Sequence, residues 1–341
     1  MRIATYNVEW FDHLFDNAGH LRNDHGLSGR RDITRADQIA GLGAVFKALD
    51  ADAVMIIEAP DHNRNRSTVR ALQTFARRFG LRARQALIGF PTETQQEIAL
   101  LYDPDAVRPR HDPLGAATGK KGAHGVPRFD GVFRIDLDLD GTEDLVSWSK
   151  PPLELACESA AGTAFRMIGV HAKSKAPHGA RSAAEVTRLS IDNRRKQLAQ
   201  CIWLRARVAA HLEAAEPLIV LGDFNDGPGL DEYEKLFGRS GVEIVMGEGN
   251  GIQMIEPHAQ RVLSQRFAAA PATARFRVPP DGFWLSALLD YVMVSPDLMT
   301  RRPRWHIWHP FDDPACYDNL PLRQALLKAS DHFPVTLDID L

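Results

Sequence analysis

The segments Leu221-Gly222-Asp223-Phe224-Asn225-Asp226 and Ser330-Asp331-His332-Phe333-Pro334-Val335 place polar side chains where an apolar strand meets a turn. In each segment a carboxylate stands beside a second polar group, an amide in the first and an imidazole in the second. Strand ends are where α/β proteins build their sites, because the sheet fixes side chains that solvent can still reach. The two segments therefore predict one site assembled from distant parts of the chain.

The composition is that of a soluble globular protein. The chain has 341 residues, of which 44% are hydrophobic and 25% charged, enough for one large α/β domain or two ordinary ones. Its net charge of -3 gives no overall attraction for nucleic acid, although local basic clusters are compatible with it. No apolar run approaches the roughly 18 residues that a membrane helix needs. Because the first residues enter a strand-like pattern without a basic and apolar leader, we expect a cytoplasmic protein with no membrane span.

The cysteines indicate a reducing compartment. Cys157, Cys201 and Cys316 lie far apart in the chain and form no C-x-x-C pair. This spacing predicts buried thiols, with neither a disulfide framework nor a zinc site.

Short apolar runs, separated by turns and helical stretches, predict an α/β fold rich in strands. The candidate strands are Ile3–Val8, Ala53–Ile57, Glu97–Tyr102, Val132–Leu139, Phe165–His171, Leu218–Leu221, Tyr291–Val294 and Val335–Ile339. No linker-like or low-complexity stretch interrupts the series. We therefore predict a single domain over residues 1–341, with sheet packed on sheet and helices outside.

Two helix starts and three long loops complete the prediction. Thr34 precedes a stretch with helical apolar spacing, and Ser182 with Glu185 forms a capping-box pattern whose helix cannot pass Pro217. Residues 11–32, 104–128 and 247–282 have the composition of functional or mobile loops.

Polar side chains recur at the ends of the predicted strands. They are Asn7, Glu9, Glu58, His171, Lys173, Ser174, Asp223, Asn225, Asp290, Asp331 and His332. The set is rich in oxygen and free of cysteine, which suits hard divalent ions such as Mg²⁺ or Mn²⁺. A bound ion would polarise a phosphoryl oxygen, and a histidine held by a carboxylate would take or direct the proton of an attacking water. The pattern indicates metal-assisted attack of water on a phosphate ester.

Each of these residues alone has a simpler explanation. A carboxylate that ends a strand is usually a turn former or a helix cap, and Gly222-Asp223-Phe224-Asn225 is itself a good turn sequence. A histidine after an apolar run is usually a packed, hydrogen-bonded residue. The simpler explanation would have to hold at every strand end at once, so the joint pattern favours a site.

Six motifs occur in the order Thr5-Tyr6-Asn7-Val8-Glu9, Ile57-Glu58, Val170-His171-Ala172-Lys173-Ser174, Gly222-Asp223-Phe224-Asn225, Leu289-Asp290-Tyr291 and Ser330-Asp331-His332-Phe333-Pro334. In this order, and over nearly the whole chain, they resemble the endonuclease/exonuclease/phosphatase superfamily of deoxyribonuclease-like phosphoesterases. The resemblance implies an α/β four-layered sandwich, in which two packed mixed or antiparallel β-sheets are flanked by helices. It also implies Mg²⁺-dependent hydrolysis of phosphoesters.

The resemblance assigns a metal-binding group to the start of the chain and to its end. Glu58 would be the principal metal ligand, and Asn7, Glu9 and Asp331 would help to hold the metal or its waters. Ile57 departs from the family, which commonly has Gln before the metal glutamate, and so removes a polar neighbour.

Water activation and handling of the phosphate fall to other residues in the resemblance. Asp223 would orient or activate the nucleophilic water. His332, paired with Asp290, would be the general base or the group that polarises the phosphate. The segment Ser149-Lys150-Pro151-Pro152-Leu153 resembles a family segment in which Arg is usual, and Lys keeps the charge but loses bidentate geometry.

The remaining site residues would contact phosphate or the leaving group. Asn225, Lys173 and Ser174 would bind the phosphate, and His171 would assist the leaving group or bind phosphate, with Glu97 as its candidate carboxylate partner. The sequence His-Ala-Lys-Ser replaces the tyrosine motif of abasic-site enzymes. It is closer to bacterial nuclease-like members, in which a lysine could reach a phosphate.

Two functions remain open. A nuclease that cuts DNA or RNA predicts binding that weakens steeply with salt, and a basic stripe drawn from Lys120, Lys121, Lys173, Lys175, Arg181 and Arg275. An enzyme for a small phosphodiester, a phospholipid or an inositol phosphate predicts a closed pocket and little salt dependence. A non-catalytic binding module is the weaker third hypothesis, because no core position is replaced. Trp284, Trp305 and Trp308 could stack on bases, with packing as the alternative, and the sequence implies no protein partner.

Overall fold

A six-stranded and a five-stranded β-sheet lie at the centre of the computed structural model of this protein. The structure describes residues 1–92, 94–137, 141–177, 179–230, 234–249, 251–264, 269–278 and 282–341. In chain order the strands are β1 (Arg2–Asn7), β2 (Ala53–Ala59), β3 (Gln85–Ile88), β4 (Glu97–Tyr102), β5 (Val107–His111), β6 (Val132–Ile135), β7 (Asp144–Ser147), β8 (Leu153–Ser159), β9 (Ala164–His171), β10 (Leu218–Asp223), β11 (Ala274–Val278), β12 (Phe283–Ala287), β13 (Asp290–Val294), β14 (Arg304–Ile307) and β15 (Val335–Asp338). The helices are α1 (Arg35–Leu49), α2 (Thr68–Phe79), α3 (Ala183–Glu213), α4 (Glu234–Phe237), α5 (Gly241–Met246), α6 (Pro257–Ser264), α7 (Pro314–Asp318) and α8 (Leu320–Ala329). Short 3-10 helices span Phe11–Leu14 and Pro296–Arg301.

Each large sheet has one parallel pair of strands among antiparallel neighbours. The six strands run in the order β14-β15-β1-β2-β4-β3, and the five in the order β13-β10-β9-β8-β5. The parallel pairs are β1 with β2 and β9 with β10. Since parallel strands end at the same edge of a sheet, Asn7 lies beside Ile57 and Asp223 beside His171. The two parallel pairs therefore bring four of the predicted motifs to the ends of adjacent strands, two motifs in each sheet.

Three apolar clusters separate four layers. The cluster between the sheets joins Ile3, Met55 and Leu100 from one sheet with Met167, Ile219 and Val292 from the other. The outer face of the first sheet packs on α1, α2 and α8, and the outer face of the second packs on α3 and α5. Strands alternate their side chains between two faces, so a strand buried on both sides has a continuous apolar run, as β10 has in Leu218–Leu221. The predicted α/β four-layered sandwich of two packed sheets flanked by helices is confirmed.

All eight predicted strands are present, with small shifts at their ends. Val132–Leu139 is shorter than predicted, because β6 ends at Ile135, and residues 138–139 lie outside the described residues. The prediction missed seven strands, most of them short or at sheet edges, where a polar face hides the apolar signal. The predicted loop 104–128 was wrong in part, since it contains β5.

The two predicted helix starts are confirmed, with one difference in the second. The Oγ1 atom of Thr34 accepts the backbone N–H of Asp37, and the Oγ atom of Ser182 accepts that of Glu185. The Glu185 carboxylate accepts the backbone N–H of Arg181 and not that of Ser182, so the reciprocal half of the capping box is not made.

The other two predicted loops contain ordered elements. The 3-10 helix Phe11–Leu14 lies within residues 11–32. Residues 247–282 contain α6 and β11, and residues 250, 265–268 and 279–281 of this stretch lie outside the described residues. The three cysteines are buried and unpaired, as predicted. Within the described ranges, no helix combines the length and the apolar character needed to cross a bilayer.

Gly222 illustrates how tightly β9 and β10 pack. Its φ is +142°, and a Cβ atom there would lie 2.0 Å from the carbonyl oxygen of Val170. We expect Gly222→Ala to lower the free energy of unfolding by about 3 kcal/mol, because the backbone of β9 cannot move aside without breaking the parallel pair. Gly162→Ala is the matched control, since its φ is +82° but no atom lies within 4 Å of the added Cβ, and it should cost about 1 kcal/mol. Urea unfolding of both variants measures the difference, and equal losses would refute the close-contact explanation.

Candidate active site

The strand ends open into one cavity of about 640 Å³ between the two sheets. Of the predicted site residues, the cavity is lined by Asn7, Glu9, Glu58, His171, Lys173, Ser174, Asp223, Asn225, Asp331 and His332. Asp290 and Glu97 do not line it, and Asp290 lies directly behind His332. A wider depression of about 710 Å³ near Asp12 and Arg66 contains none of the predicted residues. The structure thus brings together ten side chains that the sequence had placed in five distant segments.

Glu58 and Asn7 form the part of the cavity that suits a cation. Glu58 has a φ of +62° at a register shift between β2 and β4, an unfavourable backbone conformation that turns its carboxylate out of the strand pattern. Burial raises the pKa of Glu58, and nearby Lys150 opposes that rise. The Oδ1 atom of Asn7 is buried and has no hydrogen-bond partner among the described residues. A buried acceptor without a donor, next to a carboxylate in the cavity, fits a hard divalent ion such as Mg²⁺.

Glu9 and Asp331 interact with each other, and Arg30 lies close to both carboxylates. Arg30 forms an ion pair with Glu9, and its Nη1 atom lies 4.0 Å from Oδ1 of Asp331. Burial raises the pKa of Glu9 to about 7, helped by the charge of Asp331 and opposed by Arg30. Because a guanidinium already compensates part of their negative charge, these two carboxylates suit water-mediated contacts to a metal better than direct ones.

Asp223 is buried and receives three hydrogen bonds. Its Oδ2 atom accepts from Nδ2 of Asn7 at 2.9 Å and from Nδ2 of Asn225 at 3.1 Å, and its Oδ1 accepts from the Asn225 backbone at 2.7 Å. Burial raises the pKa of Asp223 to about 7, while the charge of His332 lowers it. A carboxylate held in this way and titrating near neutrality has the properties of a base for water.

Asn225 is oriented toward the protein. It has a φ of +50°, which asparagine tolerates, and its Nδ2 atom donates to the carbonyl oxygen of Ala172 at 3.1 Å as well as to Asp223. Binding of a phosphate by Asn225 would require one of these bonds to be exchanged, which the sequence did not indicate.

His332 forms a dyad with Asp290. The Nδ1 atom of His332 lies 2.8 Å from Oδ2 of Asp290, and the Asp290 backbone N–H donates to Oγ1 of Thr273 at 2.9 Å. Burial alone would lower the pKa of His332, but Asp290, Asp223 and Asp331 raise it well above its usual value. The imidazole is therefore protonated, and this favours polarisation of a phosphate oxygen over action as a general base, the two roles left open by the sequence.

Atoms of Asp223, Asp290 and His332 lie within 4.8 Å of one another, close enough to surround an ion. The Nδ1 atom of His332 and the Oδ2 atom of Asp290 are already hydrogen-bonded to each other, and the raised pKa of His332 favours the protonated imidazole. A cation would have to displace that proton, so the Asn7 and Glu58 side of the cavity fits a metal better.

His171 does not contact Glu97, and the pairing expected between them is wrong. The Glu97 carboxylate accepts hydrogen bonds from the backbone N–H of Thr92, at 3.1 Å to Oε2, and from that of His62, at 3.3 Å to Oε1. Glu97 is the first residue of β4 and does not line the cavity. The Nε2 atom of His171 lies 3.3 Å from Nζ of Lys150, and Nδ1 has no partner among the described residues. Burial lowers the pKa of His171 well below its usual value, followed by the charge of Lys150, so the ring is neutral.

Lys150, Arg30 and Trp10 lie in or beside the cavity, although none of them was given a role in the site from the sequence. Lys150 lies beside His171, and burial lowers its pKa. Arg30 comes from a segment with no periodic pattern, so no local signal connected it to Glu9. Trp10 lines the cavity with a half-exposed indole that stacks on His13 at 4.9 Å, and its φ of +56° was invisible in the sequence. An aromatic residue directly after Glu9 was the one available signal.

Comparison with known proteins gives a family and a fold. The model of the Endonuclease/Exonuclease/phosphatase family matches residues 4–332. No curated protein matches the chain. The crystal structure of TDP2 from Caenorhabditis elegans is similar, with a TM-score of 0.52 and 14% identity, over 100% of this chain and 75% of that one. An AP endonuclease from Archaeoglobus fulgidus has a TM-score of 0.52 and 12% identity over 100% of both chains. At these identities the two structures show a shared fold.

Proposed function

This chain belongs to the endonuclease/exonuclease/phosphatase family of phosphoester hydrolases, and from that premise we propose that it is a nuclease that cleaves DNA or RNA phosphodiesters by metal-assisted attack of water. The observation that carries the proposal is the convergence of a buried carboxylate, Asp223, and a histidine paired with a second carboxylate, His332 with Asp290, at one cavity. We also propose that residues 1–341 work as one domain, because one apolar cluster joins both sheets behind this cavity.

The side chains divide the work of hydrolysis. Asp223 takes the proton of the attacking water, and Asn7 and Asn225 hold its carboxylate in place by three hydrogen bonds in total. His332 donates a hydrogen bond to a non-bridging phosphate oxygen as negative charge develops there, and Asp290 keeps its ring oriented and charged.

Two lysines that line the cavity would hold the phosphate. Lys150 and Lys173 line the cavity and attract the anionic ester, and Ser174 lines it beside them. Burial lowers the pKa of His171, and its Nε2 atom lies 3.3 Å from Nζ of Lys150 and 3.8 Å from Oδ2 of Asp223 in the cavity wall, so this nitrogen is the one that would hydrogen-bond the leaving oxygen.

Asn7 and Glu58 would hold Mg²⁺ or Mn²⁺, with Glu9 and Asp331 bound to its waters. The ion would supply polarisation of the phosphoryl oxygen and stabilisation of the leaving oxygen. The fit rests on the unpartnered Oδ1 atom of Asn7 and on the Glu58 carboxylate in the cavity.

A phosphodiesterase or phosphatase for a small molecule, a phospholipid or an inositol phosphate is the second candidate. It is favoured by the net charge of -3 and by the loss of one predicted groove cation, since the Nζ atom of Lys175 lies 2.7 Å from the buried carboxylate of Asp226. The basic stripe that the sequence predicted for a nuclease therefore loses Lys175 as a cation for nucleic acid.

The proposal is tested with purified protein on supercoiled plasmid, single-stranded DNA, RNA and the small diester bis(p-nitrophenyl) phosphate. We expect cleavage of at least one nucleic acid with Mg²⁺ or Mn²⁺ and complete loss of cleavage in EDTA, restored by added metal. Turnover of the small diester alone would favour the second candidate. Cleavage that persists undiminished in EDTA would refute the metal-dependent mechanism.

A further inference from the structure

The hairpin of β11 and β12 carries a basic and aromatic face that the hydrolytic site does not use. Side chains on one face of a hairpin come from alternate positions, and Arg277 pairs with Trp284 while Arg275 pairs with Ser286. These four residues share the outer face, where Trp284 is 56% exposed. The opposite face holds Ala274, Phe276 and Ala287 and packs on Leu289. The outer face is therefore open to a partner.

Arg275 contacts two aromatic rings. Its guanidinium carbon lies 4.6 Å from the ring centre of Trp284 and 4.8 Å from that of Phe311, and Arg277 lies 6.0 Å from Trp284. Among the described residues, no carboxylate lies within ion-pair distance of Arg275 or Arg277. Contacts with aromatic rings restrict a guanidinium and leave N–H groups available, which suits binding of a phosphate.

The hairpin is bonded directly to the catalytic segments. The backbone N–H of Arg275 donates to the carbonyl oxygen of Asp331 at 2.7 Å, and Ala274 forms a β-bridge with His332. Oγ1 of Thr273 accepts the backbone N–H of Asp290. An anion bound at the hairpin would thus lie next to, and outside, the cavity where hydrolysis takes place.

The other candidate tryptophans are excluded from this role by their contacts. The indole N–H of Trp305 donates to the carbonyl oxygen of Val292 at 2.7 Å, and that of Trp308 donates to Oγ1 of Thr336 at 3.1 Å. Both rings are therefore packed and do not offer a face to a base. Of these three tryptophans, only Trp284 is exposed.

We propose that Arg275, Arg277, Trp284 and Phe311 form an accessory site, here called the hairpin platform, that binds a single-stranded nucleic acid beside the scissile phosphate. Trp284 stacks on an unpaired base, and Arg275 binds a backbone phosphate adjacent to the one in the cavity. A small phosphomonoester or diester lacks the unpaired base and the second phosphate that the platform would bind. The inference rests on the proposed nuclease function and deepens it, because it makes unpaired strands the preferred substrate.

Binding in EDTA tests the platform without cleavage. The probe is a fluorescein-labelled single-stranded oligodeoxythymidine, followed by anisotropy over a series of salt concentrations. We expect Trp284→Ala to raise Kd about tenfold and Trp284→Phe to keep most of the affinity, because a phenyl ring still stacks. Arg275→Ala should reduce the slope of log Kd against log salt by about 0.7, the value for one lost phosphate contact, whereas Trp284→Ala should leave the slope unchanged.

The matched control is Arg78→Ala. Arg78 is an exposed arginine that lies 5.5 Å from the Phe79 ring, on α2 and far from the hairpin, and its loss should leave Kd and the slope at wild-type values. A Trp284→Ala protein that binds the probe as tightly as wild type would overturn the platform, as would an Arg275→Ala protein with an unchanged salt slope.

Activity separates the platform from the proposed function. With metal present, kcat/KM is measured on the oligonucleotide and on bis(p-nitrophenyl) phosphate for both proteins. The ratio of the first value to the second should be about tenfold lower in Trp284→Ala than in wild type. General damage to the enzyme would lower both values together and leave the ratio unchanged. Wild-type protein inactive on both substrates refutes the nuclease, and binding in EDTA then still decides the platform. Wild-type cleavage with an unchanged ratio in the variant refutes the platform alone.

Discussion

Exchange of Asp223 for asparagine should lower kcat for phosphodiester cleavage by about 10³-fold, within the range for loss of a general base. The substitution preserves shape, so the chain should fold. An amide cannot take a proton from water, and its N–H groups would face the Nδ2 donors of Asn7 and Asn225, which now bond Asp223. Plasmid nicking at saturating Mg²⁺ gives kcat, and circular dichroism checks the fold.

Two further variants make this test specific. Asp105→Asn alters an exposed carboxylate paired with Arg84, far from the cavity, and should leave kcat unchanged. His332→Ala combined with Asp223→Asn should cost little more than either change alone, since residues that act as one unit are not additive. An Asp223→Asn enzyme within twofold of wild type would show that another group activates the water.

Replacement of Asp226 by asparagine should lower the free energy of unfolding by about 3–5 kcal/mol, as expected when one member of a buried ion cluster is lost. The fully buried carboxylate of Asp226 accepts from Nζ of Lys175 and from Nη1 of Arg194, each at 2.7 Å. It also accepts the backbone N–H groups of Gly227 and Gly241. An amide in its place would direct two N–H groups at existing donors.

Asp192→Asn is the matched control, because Asp192 is an exposed carboxylate that pairs with Arg188 on α3, the helix that also carries Arg194. Its loss should cost less than about 0.5 kcal/mol. Urea unfolding with unchanged m-values gives both numbers. Equal costs for the two variants would mean that the buried cluster does not stabilise the fold.

Sequence motifs identified side chains that converge on one cavity, because strand ends are local features and parallel pairing then brings them together. Asn7 and Asp223 each follow an apolar run that the sequence shows directly, and their hydrogen bond follows from the packing of the two sheets. Pairings between distant side chains were harder to predict. The Glu97 interpretation failed because β4 begins with that residue and its carboxylate turns to the backbone of Thr92.

Charged residues were the least predictable part of the chain. Arg194 lies in a charged run of α3, a pattern typical of a solvated helix face, yet it is 1% exposed and bonded to Asp226. Lys175 was assigned to a basic stripe and binds the same carboxylate. Burial of a charge depends on a partner from another segment, and no pattern within α3 reveals that partner.

The placement of β1 has a consequence for how the protein is made. One neighbour of β1, the strand β2, follows within the first sixty residues, whereas its other neighbour, β15, begins at Val335. The residues up to Pro334 must therefore leave the ribosome before that edge of β1 can pair, and the open edge is a site for aggregation or chaperone binding during synthesis. Because His332 lies just before β15, the proposed site should also be incomplete until this segment has been synthesised.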